Sequence, residues 1–260
     1  MRNFWTAIAG VIATLVTALV IVVSFPHRFF EIWPAWLQEQ YVLGGPQVLL
    51  EVEPDGVDLQ QAVEESIRII DLRLAELGTR GLLRQQGATQ ILLRLPPSAN
   101  AQRSIELATR RAKLEFRLID TAMTAAQAIA DRPPQHSEVL YDVKKVPYLV
   151  EKEVLVSGRD IVDAKPAFDA RTQEPVVNFG FNSSGTSKFG QATQANVGRP
   201  IALVLDSQVL FAPVIRDPIL GGRGQILGDF TIEEAVQFAI LLRTGELPGR
   251  LVVIDRASFN

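Results

Sequence analysis

Apolar residues recur along this chain with different periods, and each period predicts a different element. Residues 4–25, FWTAIAGVIATLVTALVIVVSF, carry no charge at all. As a helix rising about 1.5 Å per residue, this run is long enough to cross the ~30 Å hydrocarbon core of a bilayer. A buried core helix rarely stays uncharged for so many turns. A cleaved signal peptide is the closer rival, but the run exceeds the usual h-region of about 7–15 residues. Its exit, SFPHRFF, also lacks a small-x-small cleavage site. The pattern therefore predicts a retained, single-pass transmembrane anchor over residues 1–25. Trp5 on one side and Trp33 and Trp36 on the other suit the interfaces, and Pro26 breaks the helix as it leaves. Arg2 and the amino terminus are balanced by His27 and Arg28, so basic residues alone leave the orientation open.

A linker over 26–46, with Pro34, Gly44, Gly45 and Pro46, leads to alternating and helical periods. QVLLEVE reads as a strand over 47–53. Leu59, Ala62, Val63, Ile67, Ile70, Leu74 and Leu77 recur at helical spacing, with Asp58 as cap and Gly78 as stop. GLLRQQGATQILLRLP predicts a hairpin turning at Gly87, and a second helix over 101–111 leads into KLEFRLID. There Leu114, Phe116 and Leu118 share one strand face. The order βαββαβ predicts a ferredoxin-like base over 47–120, one sheet face covered by two helices and the other free.

Residues 121–150 open with an Ala-rich turn of helix, TAMTAAQAIA, then hold Pro133, Pro134 and Pro147 and few long apolar runs, and read as a joint between domains. A second α+β unit, a head over 151–230, follows. VLVS, IVDAKPAF and EPVVNFGF read as strands, SSGTSKFGQATQANVG as a helix, and PIALVLDSQVLFAPVI as a hairpin turning at Asp206 and Ser207. Over 231–260, TIEEAVQFAILLRTG is a helix with a Thr231/Glu234 capping box and a Gly245 exit, and RLVVID a closing strand. The fold class expected is thus α+β behind one transmembrane helix.

Composition narrows the chemistry. The net charge of −3 in 260 residues gives no nucleic-acid footprint. Cysteine is absent and His27 and His136 are the only histidines, which excludes thiolate nucleophiles, disulfides and histidine-rich metal sites. LGGRGQILG (220–228) fits neither GxxxxGK[ST] nor GxGxxG and reads as a tight loop. Asn182 to Ser184 form a sequon by pattern but suit a helix cap. Glu51, Glu53, Asp55 and Asp58 lack calcium-loop spacing and read as a solvated edge. No GxSxG elbow occurs. The expectation is a binding protein rather than an enzyme, without metal or cofactor.

Several motifs carry a resemblance. Ser157, Gly158, Arg159, Asp160, Asp163 and Ala164 fit VSGRDLxDA; Phe179, Phe181, Asn182, Gly185 and Phe189 fit FxFNxxGxxxF. Asn196, Gly198 and Pro200 fit NVGxP, Leu205 and Asp206 fit VLD, and Ala212, Pro213 and Ile215 fit SAPVI. Gly221, Gly222, Gln225 and Ile226 fit GGxxQI; Leu241, Leu242, Arg243, Gly245, Leu247 and Pro248 fit LLRxGxLP; Leu114 to Arg117 reproduce LEFR. Together these patterns resemble SecD, the accessory subunit of the bacterial Sec translocon, over nearly the whole chain. The resemblance implies a cytoplasmic amino terminus, an inner-membrane anchor and a periplasmic domain that binds emerging unfolded preprotein. Such a chain exposes apolar side chains and unpaired backbone, so its receptor can offer an apolar groove or a sheet edge, and on this reading Phe211, Val214, Ile215 and Ile219, beside the glycine loop, are the candidate contacts. SecF and the SecYEG translocon are the partners implied. Two departures stand out. Where the family has LGLDLRGG, Tyr41 and Leu43 replace its Asp and Arg. The sequence also ends at Asn260, where the family continues into further membrane helices, so a non-transporting scaffold or SecD fragment is the alternative expectation.

Overall fold

The computed structural model describes residues 34–42 and 44–258. The anchor expected at 4–25 and Leu43 lie outside them, and among the described residues no helix is long and apolar enough to cross a membrane. The tail of the expected linker forms a short helix, α1 (Ala35–Tyr41).

The first unit contains β1 (Pro46–Pro54), α2 (Leu59–Glu76), β2 (Leu82–Gln86), β3 (Gln90–Arg94) and α3 (Ala101–Thr109). Local rules place these elements. The Asp58 carboxylate accepts from the Gln60 and Gln61 amides at 3.0 and 3.3 Å, capping α2. Gly87, at φ +65°, supplies the left-handed turn of the β2–β3 hairpin. Val48, Leu50 and Val52 alternate inward with Ile91 and Leu93 against Ile70, Leu74 and Ile105 of the helices.

The sheet partners differ from expectation. The four-stranded sheet runs β13-β1-β3-β2, with β13 (Gly249–Ser258) antiparallel to β1. The segment expected as its last strand, β4 (Leu114–Leu118), pairs instead with a strand of the second unit. The split βαβ order survives, but the carboxyl-terminal strand closes it and the second unit is inserted after α3. Alternation fixes which face of a strand is buried and says nothing about its neighbour. Both candidates alternate: Leu251 and Val253 pack on the first core, Phe116 and Leu118 in the second.

The second unit adds α4 (Ala125–Asp131), β5 (Ser137–Asp142), β6 (Pro147–Glu151), β7 (Val156–Ser157), β8 (Ile161–Phe168), β9 (Pro175–Phe181), α5 (Ser183–Ala195), β10 (Ile201–Leu205), β11 (Gln208–Phe211), β12 (Arg223–Ile226) and α6 (Ile232–Thr244). A six-stranded sheet, β6-β5-β11-β10-β4-β7, faces a smaller one, β12-β9-β8. Residues 121–150, expected as a joint with a turn of helix, hold that helix as α4 and also a β5–β6 hairpin that extends the larger sheet. Leu140, Leu149 and Val150 are buried there, too few and too scattered to form a long apolar run. Between the sheets lies an aromatic cluster: Phe116, Phe179, Phe181 and Phe189 sit with ring centroids 5.1 to 5.7 Å apart. These tilted and edge-on contacts are favourable beyond the area they bury.

Arg73 of α2 joins the units. Its side chain is wholly buried, and it donates to the carbonyls of Ala108 (3.0 Å), Arg110 and Gly245 (2.6 Å) and to the Thr244 hydroxyl (3.2 Å). It thereby satisfies carbonyls left over where α3 and α6 end. Burial pushes its guanidinium down to about 10. Arg243 completes the seam, donating to Glu76 Oε2 at 2.7 Å and to the Ala164 carbonyl of β8 at 2.5 Å. That donation holds the Glu76 carboxyl below its ordinary value.

Candidate functional site

Three of the motifs, VSGRDLxDA, FxFNxxGxxxF and GGxxQI, meet at the amino-terminal end of α5, whereas Asn196 of NVGxP caps its other end. Asn182 caps the helix, its side-chain oxygen accepting from the Gly185 amide at 2.8 Å. The Asn182 amide donates to the Asp160 carbonyl at 2.8 Å, and the Phe181 amide to the Gly222 carbonyl at 2.8 Å. Residues 157–160 and 221–222, far apart in sequence, therefore clamp one turn from opposite sides. Ser157 Oγ accepts from the Arg159 amide at 3.0 Å, and Gly158 lies so close to Leu114 that a Cβ would come within 2.9 Å of its Cβ. Arg159 reaches Glu246 at 3.1 Å, and the Asp160 carboxylate holds Lys188 at 3.0 Å. Gly222 sits at φ +63°, and a Cβ there would fall 2.0 Å from Thr186 Oγ1. Glycine is required on both counts.

The candidate contact residues divide. Ile215 is only 4% exposed and belongs to the core between the sheets, so it offers no surface. Phe211 is partly buried against the same core. Val214, 54% exposed, and Ile219, 37% exposed, do face outward, and Leu220 beside them is more exposed still at 66%. Leu220 approaches the helix at Gly190, and the Ile219 amide donates to Thr193 Oγ1 at 2.9 Å. Over 214–220 only Ile215 turns inward, and a short segment holding Arg216, Asp217 and Pro218 has no periodicity that would single it out.

Sequence reasoning missed the open face of the β12-β9-β8 sheet. Register sets Asp163, Gly180 and Arg223 in one row across it and Lys165, Asn178 and Gln225 in the next. The opposite row, Ala164, Phe179 and Gly224, faces the core. The open face borders a cleft of about 920 Å3. Its polarity is mixed, with Lys165 paired to Asp163 at 3.1 Å and Gln225 donating to Asn178 at 3.1 Å. A strand face of such polar residues carries little hydrophobic signal, which is why periodicity did not mark it.

Two further polar clusters hold the framework. Asp206, at the β10–β11 turn, accepts from the Lys113 and Ala112 amides at 2.8 and 3.3 Å and fixes Ala112 at φ +60°. Asp120, almost fully buried, accepts from Ser137 Oγ at 2.6 Å and the Ala122 amide at 2.9 Å. These donors, Ser137 first, hold its carboxyl below the ordinary value. His136 Nε2 lies 3.2 Å away.

Comparison with known proteins agrees with this layout. Residues 136–249 match the family described as the SecDF P1 head subdomain. The solved structure of a membrane component SecDF that enhances protein export superposes with a TM-score of 0.66 at 31% identity, over 80% of this chain and 98% of that one. This chain belongs to the SecD family. A SecDF structure in a super-membrane-facing form gives a TM-score of 0.68 at 30% identity, over 93% of this chain and 35% of that one. Among curated relatives, the protein translocase subunit SecD of Rickettsia bellii is 37% identical over 203 residues, and that of Rickettsia prowazekii 38% over 207. Each alignment takes in 78% of this chain, which spans about two fifths of their length, 39% and 40%. In SecD terms, the inserted second unit holds the head match, and the four-stranded sheet lies at its root.

Proposed function

We propose that this SecD-family chain serves protein export as a non-enzymatic accessory component, engaging unfolded preprotein on the periplasmic side of the inner membrane. The observation that carries the reading is the match of 136–249 to the SecDF P1 head together with a head surface that has exposed apolar side chains and an open sheet face. An unfolded chain presents side chains without fixed order and backbone groups without partners, and such a surface answers both needs. Residues 4–25 supply a membrane anchor with the amino terminus cytoplasmic, and SecF and SecYEG are the companions in the membrane.

The test is site-specific photocrosslinking to a secretory chain stalled in transit. Probes at Val214, Ile219 and Leu220 are expected to capture it, and a probe at the buried Ile215 is not. Absence of crosslinks from all three exposed positions, in cells where export proceeds, refutes this assignment of the binding surface. Carbonate extraction tests the anchor: the full chain stays with membranes, while one starting near Gln38 is released.

A further inference from the structure

We infer that the free edge of β12 takes up a stretch of extended polypeptide as an added strand, so that the head holds an unfolded chain by its backbone. This rests on the reading of the head as a receptor for unfolded polypeptide and deepens it. In an antiparallel pair, residues alternate between those whose N–H and C=O face the partner and those whose groups face away. The Phe181 amide bonds to the Gly222 carbonyl, and Gly224 and Ile226 follow in the same phase opposite Phe179 and Val177. The N–H and C=O of Arg223 and Gln225 therefore point away from β9, and among the described residues no backbone bond meets them. The far side of the same sheet is closed differently. There α6 lies against β8, and Arg243 occupies the Ala164 carbonyl. An open edge is normally blunted by charge, proline or a covering element, because it templates pairing with another chain.

The surroundings suit a visiting backbone. β12 borders the 920 Å3 cleft, leaving room alongside it. Gly180, next to Arg223 on the open face, leaves a notch whose nearest side-chain atoms are 3.9 and 4.0 Å from where a Cβ would stand. A glycine within a strand marks a place of close approach. Asp163 and Lys165 neutralise each other, and Arg223, in the same row as Asp163, leaves the face with one excess positive charge. Main-chain hydrogen bonding to a short edge is independent of sequence and weak enough to release, as a chain in motion requires.

The experiment uses the full chain in detergent with a fluorescent peptide of alternating valine and threonine, and the same peptide N-methylated at every amide. The methylated peptide keeps its side chains but has no N–H left to donate to a strand from either edge. It should bind at least about tenfold more weakly, since it loses backbone bonds that each contribute modestly. Gln225→Pro removes one outward N–H without touching the bonds to β9 and should weaken the unmethylated peptide by about the same factor, with an unchanged far-UV spectrum. Should that variant misfold, the two peptides on the unaltered protein still decide. Equal binding of the two overturns the edge while leaving the head as a receptor by side-chain contact. A concentration-dependent dimer abolished by Gln225→Pro overturns it in favour of pairing between copies. Failure of a carboxymethylated, denatured protein to bind at all overturns both this and the reading on which it rests.

Discussion

The junction around Arg73 and the edge of β12 handle polar backbone in opposite ways. At the junction, carbonyls at the ends of α3 and α6 meet one buried guanidinium, and Arg243 ties the same seam to β8. Along β12, backbone groups of Arg223 and Gln225 meet no protein partner among the described residues. Both places carry family motifs: LLRxGxLP runs into the junction and GGxxQI into the edge. A buried polar group must be satisfied within the fold, whereas an exposed one can wait for a ligand. The contrast separates motif residues that close the fold from those that leave backbone groups exposed.

The largest effect is expected at the junction. Arg73→Met leaves several buried carbonyls without a donor and should cost about 3–5 kcal/mol, lowering the melting temperature by roughly 10 °C in calorimetry. Arg73→Lys should recover only part, because an ammonium cannot span the same set of carbonyls. A shift below about 1 °C for Arg73→Met would show that the guanidinium is not what joins the units. Next is Gly222→Ala, which forces a side chain to positive φ and against Thr186, expected to cost about 2–3 kcal/mol. Adding Thr186→Ala should restore the part due to overlap and leave the part due to φ, a split that a double-mutant cycle reads directly. The smallest effect is at Asp120. Its folded carboxyl titrates below the unfolded value of about 3.9, so the stability it contributes is present above that pH and is lost as pH falls through the folded value. Asp120→Asn should lower stability by about 1 kcal/mol at neutral pH, and the gap should close on acidification below about pH 4 in urea titrations. A gap that stays constant to pH 2 would assign the role of Asp120 to packing.

Much of this architecture was legible locally. Asp58, Thr231 with Glu234, Asn182 and the Asp206–Ser207 turn all act where turn and cap chemistry put them, because those interactions close within a few residues. Strand pairing was not legible. β4 and β13 both offer an apolar strand face, and it is long-range pairing with β10 and β7 and the packing of Phe116 against Phe179, Phe181 and Phe189 that set β4 in the second unit. Arg73 was invisible for a related reason: within an amphipathic helix it reads as one more polar position, and its partners lie at the ends of two other helices. At the site, the motifs located the glycine loop, but the run 211–219 mixed core Ile215 with exposed Val214 and Ile219. The open edge has no sequence signature, since it is defined by what fails to pair.

Hydrogen exchange, with and without a carboxymethylated denatured protein, compares the two regions in one measurement. The amides of Arg223 and Gln225 should exchange rapidly in the free protein and become protected when the unfolded chain is added. The amides of Gly245 and Leu247, bonded to Leu241 and Arg111, should be protected in both conditions. New protection confined to the four-stranded sheet, with Arg223 and Gln225 unchanged, would contradict the claim that the head holds unfolded polypeptide at its open edge.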